Sequence, residues 1–182
     1  MSNLFLRHGE VQNEKDVFYA NLPGYYLSSK GKMQAKDAAR NIKKLFNIEK
    51  IITSPLLRAR QTASIVNEEL KIDIEVSRNI IEWSGPYEWI GKTIEEIKIT
   101  DSYKSYNNNP LNLMNTQETL KNVYERFRLD YEKFENTLFV SHQDTIRAFT
   151  YYYLKENDFT KNRPNHCELQ SINSNNLISY SE

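Results

Sequence analysis

Short apolar runs alternate along this chain with longer stretches in which apolar residues recur at every third or fourth position, and that alternation most constrains its fold. A short run suits a strand covered on both faces, and a striped stretch suits a helix packed against it. Strands alternating with helices predict a layered α/β domain with a mostly parallel sheet. Right-handed crossovers then place helices on both faces, as three α/β/α layers.

The runs are Asn3–Leu6, Ile51–Thr53, Ile72–Val76 and Thr137–Val140. Helices are predicted over Ser29–Leu45, from Ser54 to Leu70, over Glu118–Phe134 and over Asp144–Leu154. Ala35, Ala38, Ala39, Ile42, Leu45 and Phe46 mark the buried face of the first helix. In the second, Ser54 reads as the cap and Pro55 as the first helical residue, with Ala59, Ala63, Val66 and Leu70 inward. Leu120, Val123, Phe127, Tyr131 and Phe134 stripe the third. From Glu168 the pattern reads as a hairpin turning at Ser174-Asn175-Asn176. Residues 11–27, with Pro23-Gly24, read as a long loop. Residues 80–115 read as irregular, either a lid over a site, an insertion or a mobile surface loop. The 182 residues predict a single domain carrying that insertion.

The 24 basic and 24 acidic residues cancel, so the chain lacks the footprint of a nucleic-acid binder and any anion site must be local. No stretch has the apolar length of a membrane helix, and the first residues lack the pattern of a secretory signal. With Cys167 as its single cysteine the chain forms no internal disulfide, which predicts a reducing, cytoplasmic setting. The three histidines and one cysteine show no zinc-ligand spacing, and no metal or other cofactor is expected.

Two of the strands end in histidine, His8 after the first and His142 after Thr137–Val140. Ligands of open α/β sheets sit beyond the carboxyl ends of the strands. One isolated histidine reads as a core or surface residue, whereas two at matching strand ends read as a site. Arg7 precedes His8, Arg58 and Arg60 open the second helix, and Arg147 follows His142 by a helical turn. An arginine fork suits phosphate, and a helix N-terminus adds to its hold on an anion.

Arg7-His8-Gly9-Glu10 resembles the signature of the histidine phosphatase superfamily, the phosphoglycerate-mutase-like proteins. The segment from Ser54 to Ala63 resembles the family's SPLxRAxQTA helix nearly residue for residue. Ile80-Ile81-Glu82-Trp83, followed by Trp89-Ile90-Gly91-Lys92-Thr93, is similar to its acid loop, and Val140 to Arg147 resembles its second-histidine motif. The stretch 165–172 is similar to its last strand. This chain departs from the pattern with Val11, Ile90 and Gln143, the last where many members carry glycine.

The resemblance implies a phosphoglycerate mutase-like fold and assigns roles by position. His8 matches the nucleophile that becomes phosphohistidine, with Glu82 as general acid and base and His142 as the second phosphate-contacting histidine. Arg7 and Arg58 match the phosphate clamp, and the backbone amide of Gln143 faces the phosphate. Glu82 is preferred to Glu10 as the acid. Tyr19 is a candidate substrate contact, and Asn13 either binds substrate or makes a turn. Tyr25, Tyr26, Trp83, Tyr87 and Trp89 either line the mouth or pack. The leading expectation is a phosphomonoesterase acting on a small phosphorylated metabolite, with a homodimer as one candidate assembly that the sequence does not decide. The alternatives are a phosphoglycerate mutase, a protein phosphatase and a non-catalytic phospho-ligand module.

Overall fold

A computed structural model describes residues 3–113 and 116–180. Six strands form one sheet in the order β3-β2-β4-β1-β5-β6. They are β1 (Leu4–Arg7), β2 (Lys50–Thr53), β3 (Asp73–Val76), β4 (Thr137–Ser141), β5 (Leu169–Asn173) and β6 (Asn176–Tyr180). The first four in chain order run parallel, and β5 and β6 add an antiparallel hairpin beside β1. Ser174 and Asn175 turn that hairpin with positive φ, the backbone twist that two-residue turns need. The helices are α1 (Ser29–Leu45), α2 (Leu57–Leu70), α3 (Ile94–Lys98), α4 (Asp101–Asn108), α5 (Leu120–Lys133) and α6 (Gln143–Tyr153).

Strand alternation sorts the core into two chemistries. Leu4, Leu6, Ile51, Leu138 and Val140 point to one face, where they meet Ala38, Ala39 and Ile42 of α1 and Ala59, Ala63 and Val66 of α2. Phe5, Ile52 and Phe139 point to the other, onto Phe127 of α5 and Ile146 and Phe149 of α6. The first face is filled by alanines and branched aliphatic side chains. The second is filled by rings at edge and tilted contacts, such as Phe127 and Phe149 at 4.6 Å.

Three expectations need correction. Leu45 is solvent-exposed at the end of α1, and Phe46 caps the helix and packs against the core instead. The α2 helix starts at Leu57 with no side-chain cap, because Ser54 lies before it and turns toward His142. Residues 80–115 are not simply irregular. They carry α3 and α4, started by Thr93 and Thr100, whose hydroxyls accept from Glu96 N and Tyr103 N. Met114 and Asn115, the last two residues of that stretch, lie outside the described residues.

Candidate active site

The site follows from strand register. Arg7 on β1 sits opposite Ser141 on β4, so the next residues, His8 and His142, leave adjacent strand ends together. His8 N donates to Ser141 O at 3.0 Å, and the two imidazole centres lie 5.1 Å apart. On the other flank of β4, Ser54 N donates to Val140 O at 3.0 Å, which carries the end of β2 to the same place.

His8 is buried, and its Nδ1 lies 2.8 Å from Gly9 O. A carbonyl only accepts, so Nδ1 carries the proton and Nε2 keeps its lone pair. Burial, then the Arg58 charge, pushes the His8 pKa well below its usual value, so the ring is neutral at neutral pH. The Gly9 turn is itself fixed. Gly9 N donates to Thr62 Oγ1 at 3.0 Å, and Thr62 Oγ1 donates to Arg58 O at 2.8 Å. A Cβ on Gly9 would lie 2.5 Å from Gly31 O, and one on Gly31 would lie 2.0 Å from Glu10 O. Only two glycines let this turn approach the start of α1 so closely.

His142 is held differently. Its Nε2 lies 2.7 Å from Ser54 Oγ. Ser54 Oγ also accepts from Leu56 N at 3.3 Å, and its hydrogen can go to Nε2; in that tautomer the ring proton stands on Nδ1, ready to donate to an oxyanion. Burial and the Arg58 charge push this pKa well down as well.

Arg7 is spanned by three partners. Nη1 donates to Gln143 Oε1 at 2.7 Å and to Pro164 O at 2.9 Å, and Nη2 lies 3.0 Å from His166 Nε2. Arg58 is wholly buried. Nη2 and Nη1 donate to Ala20 O at 2.6 Å and Leu22 O at 3.1 Å, and its guanidinium lies 4.8 Å from the Tyr19 ring centre. Arg7 Nε, Arg58 Nε and His142 Nδ1 are buried donors with no protein partner. Buried donors normally have partners, so three around one neutral imidazole mark a place built for acceptor oxygens.

Glu82 completes the group. Its Oε1 accepts from Trp83 N at 2.8 Å and from Thr145 N at 3.2 Å, with Thr145 Oγ1 3.1 Å away. Burial first, then the Asp144 charge, raises its pKa to about 7. A cleft of about 530 Å³ is lined by Arg7, His8, Tyr19, Glu82 and Gln143, whereas Arg58 and His142 are fully buried and do not line it.

The other sequence candidates divide. Asn13 uses both ends of its amide on Val17, at 2.8 and 3.2 Å, to close a loop on the cleft wall. Trp83 and Trp89 are buried, each donating from its indole to a partner outside the cleft, Glu118 O and Ser102 Oγ. Tyr25 stacks on Tyr19, and Tyr26 and Tyr87 are exposed. Arg60 is exposed away from the group. Arg147 turns behind it, from Asp144 Oδ1 to Phe159 O and Tyr106 on α4. Sequence reading missed Ser54, Thr62, Thr145 and His166. Ser54 reads in sequence as a helix cap, Thr62 and Thr145 carry no assigned role within their motifs, and His166 gives no signal beyond its residue type. Among the described residues no cluster of histidine, cysteine or carboxylate side chains could hold a metal.

A profile of the histidine phosphatase superfamily (branch 1) matches residues 4–177. The chain belongs to the histidine phosphatase superfamily. An uncharacterised protein from Mycobacterium tuberculosis is 35% identical over 83 residues, 46% of this chain and 41% of that protein. The matched stretch thus spans less than half the length of that relative. Among solved structures, mycobacterial glucosyl-3-phosphoglycerate phosphatase with VO3 aligns with TM-score 0.83 at 20% identity, over 94% of this chain and 90% of its own. Phosphoserine phosphatase from Entamoeba histolytica, in complex with 3-phosphoglyceric acid, aligns with TM-score 0.81 at 22% identity, over 99% and 95%. At these identities the likeness is one of fold. No helix among the described residues is long and apolar enough to cross a membrane.

Proposed function

We propose that this chain is a phosphomonoesterase that hydrolyses a small phosphorylated metabolite through phosphorylated His8, on a single-domain scaffold in the cytoplasm. The supporting observation is the neutral imidazole of His8 among three buried donors that have no protein partner. His8 Nε2 attacks phosphorus, and the bond to the ester oxygen breaks. Arg7, Arg58, His142 Nδ1 and the amide of Gln143, at the N-terminus of α6, take the charge spread over the equatorial oxygens. Such donors need no reorganisation as charge develops. Glu82, with its pKa near 7, gives its proton to the leaving oxygen and then takes one from the water that attacks phosphohistidine, as the bond from phosphorus to Nε2 breaks and phosphate leaves. Two equal and opposite proton transfers return the enzyme to its starting state. Tyr19 supports Arg58 from one side and borders the cleft on the other.

The test is hydrolysis of p-nitrophenyl phosphate in EDTA by wild type and His8→Ala. Activity that survives chelation and vanishes in the variant supports the reading, as does an acid-labile phosphoenzyme trapped on wild type alone. Isomer exchange of phosphoglycerates without phosphate release would replace it with a mutase. Equal activity in His8→Ala would overturn it.

A further inference from the structure

The cleft wall above His8 has an uneven charge. Glu10, Asp16 and Asp144 line it, whereas Arg7 is its only lining cation among the described residues. Arg7 is already committed to the phosphoryl position and to Gln143, Pro164 and His166. Lys30 and Arg147 pair with Glu10 and Asp144, at 2.8 and 3.2 Å, but neither lines the cleft. Both cations are thus held to these carboxylates and are not among the residues that line the cleft. Asp16 is exposed on the loop between Asn13 and Val17, at φ 46°, and makes no ion pair among the described residues. His166 also lines the cleft, and burial with the Arg7 charge lowers its pKa to about 4, so it adds a neutral donor and no positive charge.

A phosphoglycerate or a bisphosphate carries a second anionic group within a few bonds of the reacting phosphorus. In this cleft that group would face carboxylates with no uncommitted lining cation among the described residues to receive it, and like charges at short range repel. An alcohol that is neutral, or that carries an ammonium group, meets no such opposition. We infer that this site selects phosphomonoesters whose alcohol bears no negative charge, ammonium-bearing alcohols first, with Asp16 as the main discriminating residue. The inference rests on the phosphomonoesterase reading and narrows it.

The test compares kcat/KM for O-phosphoethanolamine, glycerol 1-phosphate, 3-phosphoglycerate and p-nitrophenyl phosphate in wild type, His8→Ala and Asp16→Asn. Asn tolerates the positive φ at position 16, so the fold is kept. In wild type at low salt, phosphoethanolamine should exceed 3-phosphoglycerate by roughly ten-fold or more, with the ratio shrinking as salt rises. Asp16→Asn should shift the ratio several-fold toward 3-phosphoglycerate. A preference for 3-phosphoglycerate, with p-nitrophenyl phosphate hydrolysis still dependent on His8, overturns this inference alone. A ratio unmoved by both salt and Asp16→Asn overturns its electrostatic cause. Hydrolysis of p-nitrophenyl phosphate that survives in His8→Ala overturns the phosphomonoesterase reading and this inference with it.

Discussion

The two histidine-bearing strand ends look alike in sequence but are held by different means. His8 is fixed by the carbonyl of its own next residue, Gly9, so its tautomer is a local property of the turn. His142 is fixed by Ser54, a residue 88 positions away that reaches it only because β2 and β4 are neighbours. Local fixing leaves Nε2 of His8 unprotonated, as a nucleophile requires. Distant fixing, with the Ser54 hydroxyl donating to Nε2, places the His142 proton on Nδ1, as an oxyanion donor requires. The same side chain thus takes opposite roles according to which nitrogen is occupied and by what. The α6 helix that follows His142 also anchors Glu82 through Thr145, so the proton-handling group belongs with the second strand end.

The largest expected effect separates nucleophile from donor. His8→Ala should lower kcat by about four orders of magnitude or more. His142→Ala should cost about 10²–10³-fold, the usual cost of losing one oxyanion donor. Equal collapse in both variants, measured by single-turnover hydrolysis, would break the distinction between the two ends.

Glu82→Gln should lower kcat on an alkyl phosphate by about 10²–10⁴-fold, and much less on p-nitrophenyl phosphate, whose leaving group needs little protonation. Wild-type activity on the alkyl ester should fall as pH rises through about 7, where Glu82 loses its proton. His8, neutral far below that pH, contributes nothing to this limb. A stability effect runs in parallel. The folded pKa of Glu82 is above its unfolded value, so the folded state binds more protons between pH 4.5 and about 7. Stability is fullest below pH 4.5 as far as this group is concerned, declines as pH rises toward 7, and stays lower above it. Glu82→Gln should remove that decline, worth at most about 3 kcal/mol. Denaturant melts at pH 5 and pH 8 measure it.

Thr62→Val should leave Gly9 N without its partner and cost about 1–3 kcal/mol of stability. Ser54→Ala is the smallest change. It should slow hydrolysis about five-fold, equivalent to about 1 kcal/mol for one hydrogen bond, with KM little altered. If Ser54→Ala proves more damaging than Thr62→Val to turnover, the second histidine depends on its anchor more than the first, and the comparison sharpens. If neither changes turnover, the hydrogen bonds that distinguish the two ends are structural only.

Much of this is legible in the residues alone. Periodicity placed α1 at the observed residues and the sheet strands to within a residue or two, because most of these elements bury a face whose spacing is written in their own sequence; β3, exposed at all four residues, is the exception. It failed at Ser54, where a cap signal was sound locally but a buried histidine from β4 claimed the hydroxyl. It also failed at residues 80–115. The Thr93-Ile94-Glu95-Glu96 capping box was present there, but short, polar helices give too little apolar stripe to register. Gly31 gave no sign of its role, since its need for a missing Cβ arises only from Glu10 in the turn packed over it.

By itself the sequence determined the order of strands and helices, the two strand-end histidines, the arginines beside them and the Glu82 loop, because each is a matter of residue type and local spacing. Tertiary structure alone decided which nitrogen of His142 is free, which donors stay buried without partners, how far burial and Asp144 raise Glu82, and that Asp16 and His166 share the cleft with His8. Those properties depend on dielectric, charge separation and contact between residues far apart in the chain, and only the assembled sheet and its loops bring such residues within hydrogen-bonding range.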